Sequence, residues 1–379
     1  MSGIYIHIPF CKQACSYCDF FFLTRQQLKE PFINALIAEI YQFKNSPQAE
    51  NPYKTIYIGG GTPSLLSEKQ LSRIFTTLHD VFTLKTEEVT MEMNPDDVTA
   101  DYLRMLKALG VNRASMGVQS FQESMLTFMH RAHSKDEAIK ALEALQKANF
   151  PSFTADLIYG NPGQTPEMLK QDIDMLTAFD PPHISAYSLT VEPKTRLGKQ
   201  VQLGRIEPPD DDAVSEQFDI LRDRLNSYGI EQYEVSNFSK PGKEAVHNSN
   251  YWRHKNYLGL GPSANSFWWG DRAAKRWRNK PNIKTYLTED PKEYREQAEE
   301  LNIFTLAEER LMLGLRTKWG VQRSHLEKKY GYRFNKKQEQ WLDDQVRNGF
   351  IRTNGNTILM THKGLKISDH LIVQLLGKG

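Results

Sequence analysis

Beyond Cys18 the chain has no cysteine: its three, Cys11, Cys15 and Cys18, fall within eight positions near the N-terminus. An odd, clustered set of thiols excludes a disulfide framework and reads as metal binding or catalysis in a reducing compartment. Long apolar runs are missing too. None approaches the ~20 residues that cross a bilayer, and the start lacks the charged-then-apolar plan of a signal peptide, so a cytoplasmic location is expected. Neither sign of charge is in excess. The 48 basic and 46 acidic residues leave +2, which gives no field for a nucleic acid or an anionic membrane. Internal repeats and low-complexity tracts are absent. What is present is an ordinary globular composition, 39% hydrophobic and 25% charged, in a chain of 379 residues, enough for about two domains without disulfide staples.

Up to about Leu189, short β-branched or aromatic runs alternate with amphipathic stretches. The pattern predicts strands at 3–8, 54–59, 88–93, 112–118, 153–160 and 183–189, with helices at 32–43, 68–81, 100–108, 135–148 and 166–179. In "QTPEM", Thr165 can cap the last of these and Pro166 can take its first turn. Such alternation predicts an α/β fold with a parallel sheet under helices. Motifs at successive strand ends favour a partial (β/α)6 barrel, its site at the C-terminal strand edges, over a doubly wound sheet. A breaker stretch at 205–212 is followed by a helix at 213–228 and a loop-rich segment dense in Asn and aromatics. From about Glu300 the order helix, helix, helix, hairpin, with the Asn-Gly of a tight turn, predicts a mainly helical, winged-helix-like C-terminal domain. The resulting division is 1–205, 206–299 and 300–379.

The spacing Cys11-x3-Cys15-x2-Cys18 puts three soft thiolates on one loop after the first strand. Three thiolates ligate three irons of a cubane and leave the fourth open as a binding position. A structural zinc, with His7 as fourth ligand, and buried unligated thiols are the alternatives, although the paired Cys or His spacings usual for zinc are missing. Three successive glycines, Gly59, Gly60 and Gly61, precede Thr62 after the second strand, and they allow backbone polar groups to approach a small polar ligand.

"YIHIPFCKQACSYCDF" resembles the opening of the radical S-adenosylmethionine (AdoMet) superfamily, and more closely the branch that holds oxygen-independent coproporphyrinogen III oxidase and a related heme chaperone family. The likeness continues through "GGGTPS", "MGVQSF", "DLIYGNPGQT" and the C-terminal domain. It implies a 4Fe-4S cluster on Cys11, Cys15 and Cys18, with AdoMet on the open iron. For AdoMet it implies Gly59, Gly60, Gly61 and Thr62 at the amino group and Glu92 at the ribose. Gln119, Arg131 and Asp156 match polar positions on the ligand side of the barrel, and Tyr5 and Tyr17 flank the cluster. Each of these side chains also has a plainer reading, as a surface charge, a strand-end carboxylate or a core aromatic.

Within that branch two functions compete. Proteins resembling the oxidase carry an extended N-terminal segment and a fourth cysteine two residues after the third; this sequence starts four residues before Tyr5 and has Phe20 at that place. Further on, "HNSNYW" matches the H-N-x-x-Y-W signature of the chaperone branch, which implies heme binding by His247, Asn248, Tyr251 and Trp252. A neutral imidazole suits heme iron. Tyr257, Phe267, Trp268 and Trp269 could wall a flat macrocycle, and Arg253, Lys255, Arg272 and Arg276 could meet its propionates. From spacing alone, His247 as a loop histidine and the aromatics as interface core is the simpler reading; the full signature reverses that preference.

The expectation is therefore a heme chaperone, with anaerobic coproporphyrinogen decarboxylation as the alternative and any enzymatic activity left open. Its partners would be heme, apo-hemoproteins such as respiratory enzymes, and an electron donor for the cluster. A transient membrane-associated acceptor and a homodimer stay open. The C-terminal domain carries Lys328, Lys329, Arg333, Lys336 and Lys337, but Glu327, Glu339, Asp343 and Asp344 interrupt them, so no nucleic acid is expected and the domain reads as a lid or partner surface over the barrel mouth.

Overall fold

Alternation along the strands decides the architecture. In the computed structural model, which describes residues 2–271 and 273–377, strand β1 (Ser2–Ile8) buries Ile4, Ile6 and Ile8 completely on one face. Gly3, Tyr5 and His7 take the other face, as the period of two requires. The same division runs through β2 (Tyr53–Gly60), β3 (Leu84–Met93), β4 (Arg113–Gln119), β5 (Phe153–Tyr159) and β6 (His183–Ser188). Their apolar sides, among them Ile56, Ile58, Met91, Met116 and Ala155, join one core with helix residues such as Phe32, Leu71, Leu103 and Leu142. Their polar sides face inward.

All five pairings from β1 to β6 are parallel and follow chain order. Right-handed crossovers then place the intervening helices on the outer face. These helices are Lys29–Gln42, Glu68–Val81, Ala100–Ala108, Lys135–Lys147 and Pro166–Thr177. Ser67 and Ser134 start two of them with reciprocal capping boxes to Gln70 and Glu137, and Thr165 caps the helix that opens with Pro166. The outcome is the partial (β/α)6 barrel expected from the sequence.

The segment read as loop-rich is ordered instead. β9 (Tyr257–Leu260) lies parallel to β1, pairing Gly3 with Tyr257 and Ile6 with Leu260. It is followed by antiparallel β10 (Asn265–Trp269), β11 (Ala274–Arg278) and β12 (Glu299–Leu301). At the other edge β8 (Asn237–Ser239) pairs antiparallel with β6, and β7 (Glu231–Gln232) with β8, giving twelve strands in one sheet among the described residues. These strands are too short to show a period of their own. β9, which joins β10, β11 and β12 to the barrel, finds its partner β1 far away in the chain.

The helix Val246–Trp252 sits at the N-terminal ends of the barrel strands. The ring of His247 lies 3.0 Å from where a Cβ on Gly3 would stand, and Glu88 accepts from the N–H groups of Val246 and His247 at 2.9 and 2.8 Å. Beneath it pack the C-terminal helices Ile303–Leu315, Arg323–Tyr330 and Lys336–Arg347, and a small sheet of Val321–Gln322, Ile351–Asn354 and Thr357–Met360. Arg310 Nη1 donates to the Trp252 carbonyl at 2.8 Å. This domain is winged-helix-like, but it closes the end of the barrel opposite the cysteines. The expected lid over the mouth is thus corrected: apolar faces of β10 and β11 draw the domain to the other side, where Phe267 and Ala274 share a core with Leu306, Leu311 and Tyr330. Among the described residues, no helix is long and apolar enough to cross a membrane.

Candidate functional site

The cysteine loop leaves the C-terminal end of β1 and is pinned on three sides. Cys11 N–H donates to the Leu23 carbonyl (2.9 Å) and Gln26 Nε2 to the Cys11 carbonyl (2.8 Å). Ser16 N–H donates to the Met129 carbonyl (3.0 Å), and Leu197 N–H to the Ser16 carbonyl (2.8 Å). All three cysteines line one cavity of about 490 Å³ in the barrel interior. Tyr17, Gly60, Gly61, Thr62, Glu92, Gln119, Arg131 and Asp156 share its wall. Of the AdoMet residues expected from the sequence, only Tyr5 and Gly59 do not reach it. The Tyr5 hydroxyl bonds to His7 Nδ1 at 2.9 Å, while a Cβ on Gly59 would stand 2.6 Å from Glu92 Oε1. Gly59 is therefore small to make room for Glu92.

The backbone N–H groups of the glycine segment are all spent inside the protein. Gly60 donates to Glu92 Oε2 (3.0 Å), Gly61 to the Ile8 carbonyl (2.8 Å) and Thr62 to the Phe10 carbonyl (2.6 Å). The segment's backbone can offer a ligand only acceptors, which suits an ammonium group. Glu92 also accepts from the Tyr57 hydroxyl at 2.7 Å. Burial, with Asp156 nearby, lifts its pKa to about 7 against these hydrogen bonds, and burial lifts Asp156 to about 6. Arg131 donates to Cys15 Sγ (3.3 Å), Asn94 Oδ1 (2.8 Å) and the Gly117 carbonyl (3.1 Å). It is a half-buried cation beside the thiols, not the surface charge of the plainer reading.

The donor set discriminates between metal centres. Among the described residues, no three His, Cys, Asp or Glu side chains converge on a point that could hold a single ion. His7, the candidate fourth zinc ligand, has both ring nitrogens engaged, Nε2 with the Phe21 carbonyl at 2.8 Å and Nδ1 with Tyr5. Three thiols spread around one cavity fit separate irons of a cluster. Burial raises the Cys11 thiol to about 11 and the Cys18 thiol to about 12, so ligation by metal must displace their protons. Gln119 Oε1 and Arg131 Nε are buried on the same wall without partners. A polar ligand of nucleoside size would supply them.

Several cavity residues were not foreseen: Asn94, Arg113, Ser115, Ser185 and Tyr187. The signal was in the strand alternation. Arg113 and Ser115 share parity with Gln119, and Ser185 and Tyr187 take the matching face of β6.

The heme-binding expectations meet a different geometry. Asn248 lines the cavity from below. His247 is 1% exposed, its Nδ1 on Thr55 Oγ1 at 2.8 Å and its Nε2 on the Tyr251 hydroxyl at 2.7 Å. Burial, helped by Arg113, lowers its pKa to about 3, so the imidazole is neutral. Tyr251 packs edge-on against Tyr257, and the Trp252 carbonyl serves Arg310. The supposed macrocycle walls pack on protein: Trp268 on Tyr53, Trp269 on His254 and Tyr330, Phe267 on His254. Arg276 pairs with Glu299 and Glu309, Arg253 lies over Trp319, and Lys255 belongs to the turn that ends the helix. Arg272 lies outside the described residues. In this conformation Tyr257, Phe267 and Trp269 form the domain interface and Trp268 packs on the barrel core, because burial takes their apolar area out of water.

Comparison with known proteins agrees with this geometry. Residues 5–176 match the radical SAM superfamily model and 305–367 the HemN C-terminal domain. The chain is 34% identical to the heme chaperone HemW of Bacillus subtilis, covering the whole of both chains. It is 35% identical to the HemW of Lactococcus lactis, covering 99% of this chain and 97% of that one. The solved coproporphyrinogen III oxidase HemN of Escherichia coli superposes with a TM-score of 0.84 over 99% of this chain and 89% of its own, at 22% identity, which shows the shared fold. With likeness to heme chaperones running from end to end, the chain belongs to the HemW family within the radical SAM superfamily.

Proposed function

We propose that this protein binds heme and delivers it to apo-hemoproteins, on a cytoplasmic scaffold that holds a 4Fe-4S cluster and AdoMet. The observation that carries the reading is the full-length identity with HemW heme chaperones. The oxidase shares the fold, and no feature of the site favours its reaction over heme transfer.

When bound, the cluster and AdoMet together supply one-electron cleavage of the sulfonium bond, with an external donor reducing the cluster. Cys11, Cys15 and Cys18 would hold three irons. Carbonyl oxygens of the glycine segment would receive the ammonium group, and Glu92 the ribose hydroxyls. Gln119, Arg131 and Asp156 would present the remaining polar wall. His247, already neutral, would ligate heme iron in a conformation where Tyr251 leaves Nε2.

The test is anaerobic reconstitution with AdoMet, followed by addition of heme or coproporphyrinogen. We expect bound heme with a Soret band and no porphyrin product. His247→Ala should shift that band and weaken uptake at least tenfold. Decarboxylation of coproporphyrinogen in place of heme uptake would overturn the reading, and an unchanged spectrum in the variant would remove His247 from it.

A further inference from the structure

The helix Val246–Trp252 is held shut by side chains of the barrel floor. Helix N-termini carry N–H groups without intrahelical partners. Here Glu88 takes two of them, from Val246 and His247, and the Tyr233 hydroxyl takes that of Ala245 at 3.3 Å. Tyr233 is in turn bonded to His183 Nε2 at 2.8 Å, and His183 Nδ1 to Thr154 at 2.7 Å. Glu88 supplies two charge-assisted hydrogen bonds, the strong kind.

Against this latch stands an opposing feature of the same helix. Asn250 is 2% exposed, yet neither its amide nitrogen nor its carbonyl oxygen has a partner, and Ser249 Oγ, on a side chain 3% exposed, has none either. Buried polar groups are nearly always paired because leaving one unpaired costs the full desolvation of that group. The closed helix therefore combines strong bonds at its start with unmet polar demand one turn later. That is the construction of an element with two arrangements separated by a modest free energy.

We propose that Glu88, with Tyr233, is a positioning latch that keeps His247 sequestered, and that its release swings Val246–Trp252 open to present His247 to heme while Asn250 and Ser249 gain partners from solvent or ligand. This rests on the heme reading above. One further residue ties the latch to the cofactor cavity. Arg113, 4% exposed, lines that cavity, and its Nε stands 3.9 Å from Glu88 Oε2. A ligand that engages Arg113 weakens its hold on Glu88, so AdoMet in the cavity loosens the latch.

The first measurement is hydrogen exchange of residues 245–252 in the full-length chain without heme. Glu88→Gln keeps the side chain's shape but replaces one acceptor by a donor. Tyr233→Phe removes only the hydroxyl. We expect exchange there to rise about tenfold in the first variant and severalfold in the second, with cluster content at the wild-type level. Heme uptake should quicken severalfold in both, whereas a purely structural loss would slow it. Should Glu88→Gln fail to fold, Tyr233→Phe carries the test alone. AdoMet added to the reconstituted wild type should raise exchange in the same segment at least twofold. Unchanged exchange in both variants, or faster exchange with unaltered heme uptake, overturns the latch; no response to AdoMet overturns the coupling through Arg113. Failure of the wild type to bind heme would sink the heme reading instead, and the exchange data would still decide whether the latch exists.

Discussion

Glu92 shows how one side chain serves a ligand at a cost to the fold. Its pKa of about 7, against an ordinary glutamate value near 4.5, means that folding disfavours its ionised form. The stability tied to this group is fully present below about pH 4.5 and is lost as pH rises to about 7. The loss is on the order of 3 kcal/mol. In the cofactor-free protein, Glu92→Gln should therefore be more stable than wild type at pH 8, the gap closing as pH falls toward 4.5, while its AdoMet affinity drops. Thermal melts across that range decide the matter. Parallel curves for the two proteins would mean that the carboxylate costs the fold nothing.

At the scale of elements, the junction between β2 and the cysteine loop separates two kinds of glycine. A Cβ on Gly61 would stand 2.7 Å from the Phe10 carbonyl and 2.9 Å from that of Ile8, both backbone atoms that position the first cysteine. Gly61→Ala should cost about 1–3 kcal/mol and lower the iron retained after reconstitution. At Gly59 the clash is with two side chains, the Glu92 carboxylate and the Tyr57 ring, and not with backbone, so Gly59→Ala should lower melting less than Gly61→Ala and weaken AdoMet through the displaced Glu92. Iron content and AdoMet affinity measured on both variants separate the effects; equal iron loss would show that the two glycines do one job. The six barrel strands and their helices could be read from the sequence because each carries its own period, and most of the helices a cap, as Ser67 with Gln70 does. β9 could not, since four residues pair with β1 across more than two hundred positions. Within the site, the cysteines and Glu92 stood out by motif. Arg113 did not, because a strand-end arginine looks like a surface charge until the neighbouring strands enclose it. The aromatics around Trp269 were over-read for the converse reason: a sequence shows that they are there, and only packing shows that another domain covers them.

For the molecule as a whole, the C-terminal domain acts as the floor beneath the barrel. Leu306 and Leu311 are fully buried against a core that includes Phe267 and Ala274 of the sheet, and Arg310 ties the domain to the end of the helix that carries His247. Neither part can expose that interface without leaving apolar area in water. A chain ended after residue 302 should therefore associate and bind a hydrophobic dye. The milder Leu311→Ala, which opens a cavity in the shared core, should cost about 2–4 kcal/mol while keeping the chain folded. Because that core reaches from β10 to the C-terminal helices, the loss should lower one melting transition seen alike by far-ultraviolet circular dichroism and by tryptophan fluorescence. Two separated transitions, or a truncated chain that runs as a monomer with an unchanged aromatic signal, would show that barrel and floor fold independently, and a floor that can come away would leave the helix that carries His247 held from the barrel side by Glu88, Tyr233 and Thr55.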